Sequence, residues 1–147
     1  SGYDRPTLYA IKVDGTGDVT DTHVVWKTSK AAPHNSSPVL VRAEDDSLLF
    51  FMAADSGVVS CLDAKSGELK WMKRVAGSCS ASLLHAGGRI YLTDETGKTF
   101  VFKSGVPFKL LAENDLEERT LATPIAVPGG LVIRTEDAVW KIGKNGI

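Results

Sequence analysis

Apolar residues in this chain come in short runs separated by polar and glycine-rich turns, and no run holds a helical period. Apolar segments at 48–51, 90–92 and 131–133 follow the turns Asp45-Asp46, Gly87-Gly88 and Gly129-Gly130. A second turn closes each of them: Asp55-Ser56-Gly57, Asp94-Glu95-Thr96-Gly97 and Thr135-Glu136-Asp137. A further apolar segment comes next, at 58–62, 99–102 and 138–142. The first two series add another at 68–75 after Ser66-Gly67 and at 108–111 after Ser104-Gly105. Such runs, rich in β-branched and aromatic residues and bounded by Gly, Asp, Ser and Pro, predict strands. Nowhere do apolar residues recur at helical spacing between capping residues over 12 positions. The fold class expected is all-β.

The series is a repeat. Ser37-Pro38-Val39-Leu40, Ser80-Ala81-Ser82-Leu83 and Thr123-Pro124-Ile125-Ala126 start at 37, 80 and 123, and each opens one series of turns and strands. Four antiparallel strands in roughly 43 residues is the period of a β-propeller blade. One such sheet has two apolar faces and cannot hide both, whereas radially packed blades bury each face against a neighbour. The small residues that open each first strand suit the crowded axis. Strands expected at 7–13 and 23–28 make a two-stranded remnant over 7–29. Blades over 37–75 and 80–111 follow, then an incomplete blade over 123–147. About three blades and a remnant fall short of the roughly four to eight that close a ring. Closure then needs a further stretch of chain or association with a second copy, because open sheet edges invite pairing.

The segment Cys61-Leu62-Asp63-Ala64-Lys65-Ser66-Gly67-Glu68-Leu69-Lys70-Trp71 resembles the tryptophan-docking repeat of PQQ-like quinoprotein β-propellers. The resemblance implies that Trp71 sits on an outer strand and docks between blades, with Asp63, Ser66 and Gly67 making the tight turn. Tyr9-Ala10-Ile11 and Val24-Val25-Trp26-Lys27 form a looser copy that places Trp26 likewise. In a third copy, Leu110-Leu111 stands where the tryptophan is expected. The run from Gly17 to Lys27 further resembles the C-terminal part of quinoprotein alcohol dehydrogenase-like repeat proteins. By resemblance the source is bacterial and the protein exported, to the periplasm or cell surface. No leader opens this sequence.

Composition adds limits. Seventeen Lys and Arg against 18 Asp and Glu leave a net charge of −1, which excludes a strongly basic nucleic-acid binder. The longest apolar run, 48–54, is far short of the roughly 20 residues of a membrane helix. Two cysteines cannot by themselves build a disulfide scaffold or a four-cysteine zinc site.

A quinone dehydrogenase, by family resemblance, needs PQQ, calcium, an Asp base, a stacking tryptophan and often adjacent cysteines. Here Cys61 and Cys79 lie 18 positions apart, and both are expected as free, partly buried thiols, Cys79 opening a first strand. Trp26, Trp71 and Trp140 are expected as packing residues. Asp14, Asp18 and Asp21 miss the EF-hand spacing and suit a solvated connection. His23, His34 and His85 lack metal-ligand spacing. No catalytic, cofactor or metal residue is assigned.

Propellers use the face built from the connections entering the inner strands and the turns between second and third strands. Here it would present His34, Asn35, Ser36, Asp55, Ser78, Cys79, Asp94, Glu95, Glu118, Arg119 and Arg134. Loops on a rigid scaffold are where binding residues gather. The reading is a non-catalytic module that binds or scaffolds a protein partner or polar ligand, or associates with itself. The alternatives are part of a PQQ- and calcium-dependent alcohol or sugar dehydrogenase, or the sensor domain of a larger protein.

Overall fold

Period-two alternation and glycine turns yield thirteen strands in the computed structural model, which describes residues 5–143. They are β1 (Leu8–Ile11), β2 (Val24–Thr28), β3 (Val39–Arg42), β4 (Leu48–Ala53), β5 (Val58–Asp63), β6 (Leu69–Arg74) and β7 (Leu84–Ala86), then β8 (Arg89–Thr93), β9 (Lys98–Lys103), β10 (Leu110–Asp115), β11 (Ile125–Val127), β12 (Gly130–Arg134) and β13 (Val139–Gly143). Every pairing is antiparallel between sequence neighbours, giving sheets β1-β2, β3-β4-β5-β6, β7-β8-β9-β10 and β11-β12-β13. No helix occurs among the described residues.

The sheets pack face to face in chain order. Phe51, Ala53, Val59 and Cys61 on one face of the second sheet meet Ile90, Leu92, Phe100 and Phe102 of the third, and together they form the main core. The opposite faces are also covered, so four consecutive residues of β5 and four of β9 are buried. A strand buried on both faces reads as a continuous apolar run, and radial packing imposes that burial.

Around the axis, inner strand β7 contacts both β3 and β11. The backbone N–H of Ser37 donates to Ser82 Oγ at 2.8 Å, and the Ser82 N–H donates to Thr123 Oγ1 at 2.9 Å. The result is an open β-propeller fragment whose four sheets do not close a ring.

Several boundaries differ from the sequence reading. The Ser80-Ala81-Ser82-Leu83 segment leads up to β7, so Cys79 lies in the connector ahead of the strand. The Ser82 hydroxyl is used sideways, toward the preceding blade, and the Ser80 hydroxyl bonds Glu95 within its own blade. The outer strand expected at 108–111 begins at Leu110 and continues to Asp115, because the turn after β9 extends until Lys103 N–H meets the Lys109 carbonyl at 2.9 Å. Strands expected at 7–13 and 23–28 shorten to β1 and β2. Between them a helical turn closes on Val19, whose carbonyl accepts from the N–H groups of Thr22 and His23. The end of the incomplete blade, 144–147, lies outside the described residues.

Candidate interaction face and the blade junctions

One end of the fragment gathers the second-to-third-strand turns and the connectors that enter β3, β7 and β11. Asp55 joins two of these connectors. Its carboxylate accepts from the His34 N–H at 3.2 Å and the Asn35 amide at 3.1 Å, and lies 3.4 Å from His34 Nδ1. Its carbonyl accepts the Cys79 N–H of the next connector at 2.8 Å. Glu95 repeats the arrangement: its N–H donates to the Ser78 carbonyl at 2.8 Å, and Ser80 Oγ donates to its carboxylate at 2.7 Å. The Glu95 carbonyl then accepts the Thr120 N–H of the third connector at 3.3 Å. In the last sheet the Glu136 N–H donates to the Arg119 carbonyl at 3.0 Å, and the two side chains form an ion pair.

The residues expected on this face sit in these turns and connectors, save Arg134, which ends β12, and they divide by burial. His34, Asn35, Ser78, Arg119 and Arg134 are exposed, and Asp55, Glu95 and Glu118 are half-buried. Ser36, Cys79 and Asp94 are buried and form its floor. Ser36 Oγ donates to the Ala53 carbonyl at 2.6 Å. Asp94 Oδ1 accepts from the Thr96 N–H, the Thr96 hydroxyl and the Lys98 N–H, at 3.0, 2.7 and 3.1 Å. Sequence reasoning missed Glu136, Thr120 and Thr135. Thr120 Oγ1 donates to the Arg134 carbonyl at 2.6 Å, and Thr135 Oγ1 donates to Glu118 Oε2. Their position beside the turns was a signal, but hydroxyl-to-connector bonds have no motif.

The turns on the opposite end serve packing. Asp63 Oδ1 accepts from Ser66 N–H at 2.8 Å, Ser66 Oγ at 2.9 Å and Lys65 N–H at 3.1 Å. These bonds, the Ser66 N–H foremost, hold the Asp63 carboxyl below its ordinary range. Gly67 adopts a φ of 73°, and a Cβ there would come 2.7 Å from the Trp26 ring. Trp26 Nε1 donates to the Ala64 carbonyl at 3.0 Å, and its ring meets Phe50 edge-on. Trp71 does the same one blade on. Its Nε1 donates to the Gly105 carbonyl at 3.1 Å, and its ring packs among Phe51, Phe102 and Phe108. Trp140, on β13, donates to Glu118 Oε2 at 3.3 Å.

Register corrects one expectation. Trp26 pairs with Ala10 and Trp71 with Cys61, each beside a β-bulge. The same bulge occurs in β10, where the residue paired with Val101 is Ala112. The tryptophan position is thus Ala112, one residue beyond Leu110-Leu111.

The family model described as outer membrane protein assembly factor BamB matches residues 15–106. This chain belongs to the BamB family of PQQ-like propeller repeats. Among curated relatives, it is 30% identical over 99 residues to the outer membrane protein assembly factor BamB of Escherichia coli K12, covering 67% of this chain and 24% of that protein. The Salmonella typhimurium LT2 protein of the same name is 29% identical over the same length. The crystal structure of BamB from Moraxella catarrhalis superposes with a TM-score of 0.63 at 15% identity, covering 97% of this chain and 42% of that one. That likeness establishes the propeller fold. The BamB-family chain spans about a quarter of the length of the curated relatives it matches.

Among the described residues no three His, Cys, Asp or Glu side chains cluster as a metal site. Asp55, Asp94 and Glu95 are engaged by N–H and hydroxyl donors. Cys61 and Cys79 are free and buried, and burial pushes both thiols up to about 12. These residues do not fit a calcium-quinone centre.

Proposed function

We propose that this chain is a non-catalytic propeller module that binds protein, serving outer-membrane protein assembly on the exported side of a bacterial inner membrane. Family membership supports the setting, since the relatives it matches are named as outer membrane protein assembly factors. One structural observation carries the mechanism: hydrogen bonds to the carboxylate and carbonyl of Asp55, and through the N–H and carbonyl of Glu95, tie each turn to two successive connectors. A face braced this way presents His34, Asn35, Ser78, Arg119 and Arg134 at low ordering cost on binding. Its mixed charge suits a polar protein surface, where rim charges set encounter rate and register.

The test is binding of the chain to the purified soluble components of the outer-membrane assembly machinery. Arg119→Glu combined with Arg134→Glu is expected to weaken binding at least about tenfold while leaving the thermal midpoint near that of the parent. Unchanged affinity in that variant would remove the face from the interface. Self-association is the second reading, carried by β13, an open edge strand that exposes Val139 at 70%, Trp140 at 38% and Ile142 at 40%. Light scattering that finds a monomer at micromolar concentration would dismiss it.

A further inference from the structure

Three junctions separate the four sheets, and two of them are filled by an indole. Trp26 and Trp71 each project from an outer strand beside a bulge, pack on aromatic rings and reach a carbonyl of the next blade. The third junction has the same bulge and register, but a methyl group, that of Ala112, stands at the tryptophan position, with Leu111 beside it. A half-open cavity of about 680 Å³ lies there, between the third and fourth sheets. Its walls include Tyr91, Val101, Ala112, Leu131 and Ile142, with Asn114 as a polar group on the β10 side.

The register explains the vacancy. Ile90 pairs with Phe102 in the third sheet, and Leu131 pairs with Ile142 in the fourth, so Ile142 stands where Phe102 stands one blade earlier. Phe102 is one of the rings on which Trp71 rests, 6.2 Å between centroids. Ile142 and Ala112 therefore line the place that an indole occupies at the preceding junction. Ligand pockets commonly measure roughly 300 to 1,000 Å³ and combine apolar walls with a few polar groups. Apolar cavities that hold little water take up flat aromatic molecules.

We propose that this junction is a binding site for a free planar aromatic molecule of the indole class, seated where the repeat elsewhere supplies its own tryptophan. Tyr91 and Leu131 flank the ring, and Asn114 offers the polar partner that a backbone carbonyl provides at the other two junctions.

Calorimetric titration of the whole chain with indole tests this. Saturable binding is expected, with a thermal midpoint that rises with indole concentration. Methyl NMR signals of Ala112, Leu131 and Ile142 should move on titration. In Ala112→Trp the side chain fills the site itself, so indole affinity falls at least about tenfold and the unliganded variant melts higher. Absence of saturable binding to the parent, or unchanged affinity in Ala112→Trp, overturns the proposal. If that variant does not fold, the NMR map decides. Shifts confined to the surroundings of Trp26 and Trp71 refute the site, and shifts at Ala112, Leu131 and Ile142 support it. Methylcyclohexane binding as tightly as indole would also refute it, because the claim is for a planar aromatic ring.

Discussion

Ser37 and Ser82, residues of adjacent inner strand entries, are joined by a 2.8 Å bond from the Ser37 N–H to Ser82 Oγ. Ser82 in turn donates its own N–H to Thr123 Oγ1 at 2.9 Å. One hydroxyl is thus acceptor for the blade before it, and its residue is donor to the blade after it. Because side chains near the axis are small, backbones approach closely enough for this relay.

Ser82→Ala removes the acceptor and strands the Ser37 N–H. We expect a loss of about 1 kcal/mol in urea unfolding, and faster amide exchange at Ser37. Ser82→Thr keeps the hydroxyl and should retain most of the stability. An alanine variant as stable as the parent, with Ser37 still protected, would contradict the relay.

Trp71 joins two blades through Phe51, Phe102 and Phe108 as well as through its bond to the Gly105 carbonyl. Trp71→Ala is expected to cost about 3 to 5 kcal/mol. Trp71→Phe keeps most of the ring packing and loses the N–H, so a smaller cost, nearer about 1 to 2 kcal/mol, is expected. Equal losses in the two variants would show that packing contributes little there.

Two glycines separate backbone strain from crowding. Gly87 has a φ of 57° and open space where a Cβ would stand, whereas Gly67 has a φ of 73° and the Trp26 ring only 2.7 Å from the same point. Gly87→Ala should cost about 1 kcal/mol from the left-handed backbone alone. Gly67→Ala carries the same strain and must also displace the Trp26 ring, so it should be clearly worse. Chemical denaturation of both variants decides the order.

The two thiols impose an alkaline limit. Burial raises Cys61 and Cys79 from 9.0 to about 12. A thiol whose folded-state value is raised contributes stability below the unfolded value and loses it as pH climbs toward the folded one. Stability should therefore decline from about pH 9 upward. At neutral pH, modification by a thiol reagent should follow unfolding and not direct attack on the native protein. Rapid labelling of either cysteine under native conditions would refute this.

Ser60 is fully buried, and its hydroxyl has no hydrogen-bond partner among the described residues. Removing an unsatisfied buried hydroxyl without opening a large void is expected to be neutral or to stabilise by about 1 kcal/mol. A Ser60→Ala variant that melts well below the parent would point to a hidden partner.

Much of this molecule is local and so was readable as a string. Strands are set by alternation and turn residues, and the Asp63, Ser66 and Gly67 turn is closed by bonds between near neighbours. The repeat revealed blades because each sheet uses the same short plan, and the docking of Trp26 and Trp71 followed from a motif. What the string did not show depends on contacts made across blades. It listed Ser36, Cys79 and Asp94 beside His34 and Arg119, and only packing divides floor from surface. The pairing of Arg119 with Glu136 joins a connector to a turn 17 residues on, and no sequence spacing specifies such a pair. A one-residue bulge decides that Ala112, not Leu111, takes the register position that tryptophan holds in the preceding blades. The alternation of faces in a strand makes that single step the difference between a filled junction and an open one. Sequence thus determined the blades and their order, and tertiary packing decided which residues face solvent and where the interior stays unfilled, because burial and cavity shape belong to pairs of sheets and not to any one of them.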